Sequence, residues 1–198
     1  LMPLLSKVGE ALNENRNSDA AKTLSRIIEQ HPDCSRAIAV LGVLLAEKDA
    51  PEFLQWQSEH SRRAENEPET WIGMGIWLRK HGQPSAAARS FHQAVELDPR
   101  NLNALSELGQ TLRLLHEPEL ASAFLEWSRK QQEITEVSRR VEEQGDAKLQ
   151  LDLSVRLEAV GRLWESWAWL HLYEIHRPED QAVKASGLQL KKRLSDSV

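Results

Sequence analysis

Seven histidines and one cysteine are the most reactive side chains in this 198-residue chain, and their spacing does not assemble an active centre. No His-Glu-x-x-His phrase sets two ligands and a base on one helix face. His171 and His176 are five residues apart, a turn of about 500° that leaves them diverging by roughly 140° on a helix. That geometry reads as two surface residues and not as a zinc pair. Cys34 follows His31 closely, but no third orienting group or oxyanion loop accompanies them, so a small packed thiol is expected. No G-x-G-x-x-G or Walker-type phrase occurs, and Gly73-x-Gly75 falls mid-helix, where it serves packing. No catalytic residue, metal ligand or cofactor is therefore expected.

Two further groups could carry binding chemistry. The seven tryptophans include Trp164, Trp167 and Trp169 within six residues, which could form an aromatic box for a cation. The simpler expectation is that Trp164 and Trp167, three apart, pack against the preceding long helix and the C-terminal cap. Lys191-Lys192-Arg193 is the only basic cluster and fits the end of a helix, where cations face the carbonyl-rich terminus.

The elements that would position any of these follow from a period. Gly42, Gly75 and Gly109 recur at a step of about 34 residues, and so do Ala20, Leu54, Ala87 and Ala121. Such a period marks stacked two-helix units, none of which can bury its apolar face alone. His81-Gly82-Gln83-Pro84 reads as a tight turn between two helices, and Asn17-Ser18-Asp19 as a source of side-chain acceptors for a helix start. Small residues at Gly75, Gly109, Ala87 and Ala121 let paired helices approach. Phe91, Leu125 and Leu170 would fill the space between units.

The cleanest unit runs from Pro68 to Asn101: Trp71-x2-Met74-Gly75-x2-Leu78, Gly82, Ala87-x3-Phe91-x2-Ala94, Pro99. It closely resembles the tetratricopeptide repeat pattern, with Met and Leu in place of the usual Leu and Tyr. The resemblance implies an all-α, right-handed superhelical solenoid of antiparallel helix pairs. The units are expected at about 1–34, 35–67, 68–101, 102–146 and 147–180, with a capping helix over 180–194, as one domain spanning 1–198. Repeat two is a degenerate copy, with Leu54 and Ser58 in the slots of Ala87 and Phe91. Repeat four lacks the closing proline, and the step from Gly109 to Ser154 exceeds one period by about 11 residues. Such an excess is close to three helical turns, so the insertion keeps the apolar stripe in phase. One long helix over about 117–144 is predicted, carrying Leu120, Phe124, Trp127, Ile134, Val137 and Val141 at three- and four-residue steps. Gly161-Arg162-Leu163-Trp164-Glu165 and the long helix together are similar to the tetratricopeptide regions of planctomycete ASPIC/UnbV-type multidomain proteins, which would place further domains beside this bacterial segment.

Composition narrows the function classes. The chain has 25 basic and 30 acidic residues, a net charge of −5, and 40% hydrophobic content. Without a basic stripe it is not expected to bind nucleic acid. No apolar run is long enough for a membrane span. The sequence starts at Leu1 and not Met, which reads as an excised piece and leaves the compartment open between cytoplasm and periplasm.

In tetratricopeptide stacks the first helix of each unit lines a concave face where partner peptides bind. The corresponding slots here are Arg36, Ala39, Val43 and Ala46 in repeat two and Glu69, Ile72, Ile76 and Arg79 in repeat three. Repeat four contributes Asn103, Ser106, Gln110 and Arg113. The resemblance thus implies an apolar floor, Ile72 and Ile76, beside a wall of amides and guanidinium groups. Such a groove suits a peptide with a hydrophobic anchor and a carboxylate, supplied by another protein or by another domain of the parent chain. Arg79 and Arg113 are expected to bind without supporting the fold. The slots lack the paired Lys and Asn of the dicarboxylate clamp found in chaperone-binding relatives. The expected function is a non-catalytic interaction scaffold. The alternatives are a spacer or assembly module acting through the long helix, and a regulatory domain of a larger enzyme. An exposed Ile134-Val137-Val141 strip would call for a partner helix, a second copy of the chain included.

Overall fold

The computed structural model describes residues 2–195. The limits 1 and 198 of the expected domain lie outside them. Among the described residues there are only helices, joined by short turns: α1 (Met2–Asn13), α2 (Asn17–Gln30), α3 (Ser35–Glu47), α4 (Glu52–Glu59), a 3-10 turn (Ser61–Ala64), α5 (Pro68–Lys80), α6 (Pro84–Leu97), α7 (Leu102–Leu114), α8 (Pro118–Gln144), α9 (Ala147–Ala159), α10 (Leu163–His176) and α11 (Gln181–Ser195). The helices group into two compact units, 1–128 and 129–198, with the division inside α8, where the period alone suggested a single domain.

Within the helix pairs, turns repeat one backbone device. Asn15, Asp49, Gly82, His116 and Gly161 all have positive φ, between 55° and 78°. Each turn also closes with the same six-residue hydrogen bond, as from Gln83 N–H to the Leu78 carbonyl at 2.9 Å and from Arg162 N–H to Leu157 at 2.9 Å. This pairing ends a helix on a left-handed residue and satisfies a terminal carbonyl. Gly82 and Gly161 adopt the conformation at no steric cost. Asn, Asp and His are among the non-glycine residues that tolerate it best, so the conformational period is more regular than the glycine period.

Helix starts are less uniform. Asn17, Ser18 and Asp19 lie in the first turn of α2 and do not cap it; the cap position belongs to Arg16, without a side-chain bond. Asp19 instead pairs with the Arg16 guanidinium at 3.2 Å. Side-chain caps stand at Asn101, Asp146 and Asp180, whose oxygens accept from Ala104, Lys148 and Val183 N–H at 3.0, 2.9 and 3.1 Å.

In unit 1, each glycine of the period faces a large side chain from the paired helix. A Cβ on Gly75 would lie 2.5 Å from the Phe91 ring, and one on Gly109 would lie 2.6 Å from Leu125. Phe91 therefore fills space within its own helix pair as well as between pairs, and it is fully buried. Repeat two departs from the expected slots. Leu54 is 56% exposed and Ser58 points outward, while Phe53 and Trp56 are buried. A Cβ on Gly42 would collide with the Trp56 indole, and Trp56 Nε1 donates to the Ile38 carbonyl at 2.9 Å. The physical cause is the shortness of α4, which has 8 residues against 14 in α6. The shift exchanges which residues face inward.

α8 runs for 27 residues as the phase of the insertion predicts, and its part from 129 onward belongs to unit 2. Ile134, Val137 and Val141 are buried against Leu149, Leu153 and Leu157 of α9, so the strip that would call for a partner helix is covered by this chain itself. A homodimer built on that strip has no face left. Ion pairs line the polar side: Arg156 reaches Asp152 at 3.1 Å and Glu133 at 2.6 Å. Arg139 donates to Glu136 at 2.8 Å and holds that carboxyl below its ordinary range. Trp164 does not pack against the long helix; it is 61% exposed, and the residue that joins the α8–α9 cluster is Trp169. Leu170 and Tyr173 of α10 meet Val183 and Leu190 of α11.

Glu133→Pro places a missing donor and a ring clash in the interior of α8. It is expected to cost unit 2 about 3 kcal/mol or more, whereas Glu133→Ala removes the ion pairs and keeps the helix. Hydrogen exchange over residues 130–145 should show protection that Pro abolishes and Ala largely retains. An unprotected wild-type segment would contradict the helix.

Candidate peptide-binding face

The wall of the expected groove is built on α3, α5 and α7. The first two are locked together at three heights. Ser35 Oγ donates to Glu67 at 2.7 Å, a Cβ on Gly73 would lie 3.0 Å from the Gly42 carbonyl carbon, and Lys80 Nζ donates to the Ala46 carbonyl at 3.0 Å. Two glycines at the crossing bring the backbones nearly into contact. That approach seals what the slots suggested as a floor: Ile72 is 3% and Ile76 6% exposed, and Ala39 and Ala46 are fully buried. These two isoleucines are core residues and cannot line an open groove.

Arg79 is also not a free groove residue. Its guanidinium pairs with Glu107 and lies 5.5 Å from the centre of the Phe91 ring, with a long hydrogen bond of 3.4 Å to Thr111 Oγ1. Only 23% of its side chain is exposed. It ties α5 to α7, and the expectation that its removal leaves the fold intact is corrected. Glu107 has one carboxylate oxygen that is buried with no well-aligned hydrogen bond, so losing Arg79 would strand a part-buried charge.

The α7 residues behave differently. Asn103, Ser106, Gln110 and Arg113 recur at three and four positions and share one helix face. Asn103, Gln110 and Arg113 are exposed, and Ser106 is half-buried. Gln110 Nε2 donates to Ser106 Oγ at 3.0 Å, which orients the amide. Among the described residues no carboxylate pairs with Arg113. From Asn103 to Arg113 the helix advances about 15 Å. Two amides and a guanidinium group along that length can bond backbone carbonyls and one carboxylate of a bound chain. Arg36 on α3 is exposed as well.

Sequence reasoning missed Glu107 because its partner, Arg79, stands on the first helix of the preceding repeat, outside any local pattern. It missed Trp56 because the motif slot pointed to Ser58. Among the described residues no cluster of three or more His, Cys, Asp and Glu could hold a metal ion. No helix there is long and apolar enough to cross a membrane.

Comparison with known proteins agrees with this architecture. No curated protein matches the chain. It is similar in structure to a thermophilic tetratricopeptide protein of Thermus thermophilus, at 15% identity and a TM-score of 0.55, over 96% of this chain and 97% of that one. It is also similar to PilF of Pseudomonas aeruginosa, at 15% identity and a TM-score of 0.52, over 98% of this chain and 84% of that one. These likenesses are of fold. The tetratricopeptide repeat family model matches residues 8–68 and 73–131, more than half of the sequence, and the chain belongs to that family.

Proposed function

We propose that this protein is a non-catalytic scaffold in which the exposed face of α7 binds an extended peptide carrying a carboxylate, from another protein or a neighbouring domain. Tetratricopeptide repeats generally mediate protein–protein interaction. The observation that carries the finer reading is the Arg113 guanidinium, without a carboxylate partner among the described residues, on the same face as Gln110 and Asn103, in a chain where Arg79 is tied into the fold. Charge-assisted bonds to such donors fix register, while the rest of the interface excludes water. The alternative of assembly through the long helix cannot use the Ile134-Val137-Val141 strip, which lies against α9.

Selection from a peptide library rich in acidic and hydrophobic residues, followed by titration calorimetry, tests this reading. Gln110→Ala/Arg113→Ala should weaken a selected peptide by about 1.5–3 kcal/mol per charged hydrogen bond lost. The melting temperature should stay unchanged, because exposed groups contribute little to stability. Arg79→Ala should do the reverse, lowering stability first. Equal affinity of the double variant and the wild type for every selected peptide would reject the α7 face.

A further inference from the structure

Trp56 and Leu125 hold the same place in repeats two and four, each facing a glycine of the first helix, Gly42 and Gly109. The residue just before each of them differs. In repeat four it is Phe124, which packs against the core of unit 1. In repeat two it is Gln55, an exposed residue whose Nε2 donates to Glu59 at 3.2 Å. The short α4 therefore contributes no apolar side chain where α8 contributes Phe124, and a cleft of about 450 Å³ opens between α2, α3 and α4.

The walls of the cleft have a definite chemistry. Leu41 and Leu45 of α3 and the Trp56 indole give it an apolar floor. Trp56 is fixed by the bond from its Nε1 to the Ile38 carbonyl at 2.9 Å, so little rotamer freedom remains to be lost when a ring packs on it. The rim carries Lys22 of α2 and Lys48 after α3, both exposed, against one carboxylate, Glu52. Among the described residues neither lysine has a carboxylate partner. The rim is thus cationic in a chain of net charge −5.

The geometry points to this cleft as a second binding site, distinct from the α7 face, for an acidic segment of a partner protein that presents an aromatic side chain. The ring takes the place that corresponds to Phe124 in repeat four, over Leu41, Leu45 and Trp56. Carboxylates beside it meet Lys22 and Lys48. Burial of the ring supplies affinity, and the charge-assisted bonds fix its orientation. Like-charge contact with the two lysines rejects a basic segment, so the same rim sets specificity.

The test uses the whole chain carrying Gln110→Ala/Arg113→Ala, so that the α7 face does not contribute, and a synthetic peptide with a central Phe between pairs of Glu residues. Calorimetry should show saturable binding, and replacing the peptide Phe by Ala should abolish it. Adding Gln55→Phe, which supplies the missing ring from the chain itself, should weaken binding about tenfold or more. Adding Lys22→Glu/Lys48→Glu instead should weaken it as much, with an unchanged circular dichroism melt, because both lysines are exposed. A peptide with Lys in place of Glu should prefer that reversed variant. Absence of saturable binding, or affinity that survives Gln55→Phe or the lysine reversal, would overturn the proposal.

Discussion

Phe91→Ala is expected to destabilise unit 1 by about 3–5 kcal/mol, the range for emptying an aromatic core site. The ring is fully buried, fills the space in front of Gly75 and lies under the Arg79 guanidinium at 5.5 Å. Its loss leaves a cavity that the rigid approach of α5 and α6 cannot close, and removes the cation–π contact that helps to hold Arg79 on Glu107. Urea unfolding followed by tryptophan fluorescence should show the transition that reports on Trp71 and Trp77 moving to lower denaturant. A loss below about 1 kcal/mol, the centre of the range for ordinary substitutions, would mean that the slot is wrong.

Trp56→Ala should cost a similar amount, about 3–5 kcal/mol. It empties the space in front of Gly42 and leaves the Ile38 carbonyl without the indole N–H that meets it at 2.9 Å. The contrast with Ser58→Ala is the sharper part of the experiment. Ser58 holds the motif slot, yet it is exposed and its hydroxyl donates only to the nearby Gln55 carbonyl at 2.9 Å. Its replacement should change stability by less than about 0.5 kcal/mol. A large loss at Ser58 and a small one at Trp56 would restore the register that the period suggests.

These two positions show where the repeat can be read in the sequence and where it cannot. Around Gly75 every slot of the motif but those of Met74 and Leu78 holds its usual residue, both helices have ordinary length, and the spacing alone locates Phe91 in the core. Around Gly42 the second helix has only 8 residues, beginning after Pro51 and ending in a 3-10 turn. Adjacent residues of a helix point about 100° apart; Phe53 stands one residue before the Leu54 slot and Trp56 two before the Ser58 slot, so the inward face of α4 is displaced by one to two residues. The spacing carries no information on that shift. The long α8 is legible for the opposite reason, since an insertion of about three helical turns preserves phase and the apolar steps continue through it.

The candidate face is legible only in part. Slot counting places residues on a side of a helix, but their exposure depends on the distance between helices. Gly42 and Gly73 set that distance, and they close α3 on α5 over Ile72 and Ile76. The role of Arg79 is hidden from the sequence because its carboxylate partner comes from the next unit. Asn103, Gln110 and Arg113 stay exposed on α7, as slot counting suggests.

The most direct test of the α7 assignment is amide chemical-shift mapping of the isotope-labelled chain with a selected acidic peptide. The largest saturating shifts are expected on α7 around Asn103, Ser106, Gln110 and Arg113, and they should vanish in Gln110→Ala/Arg113→Ala. Saturating shifts confined to residues outside α7, unchanged in that variant, would contradict it.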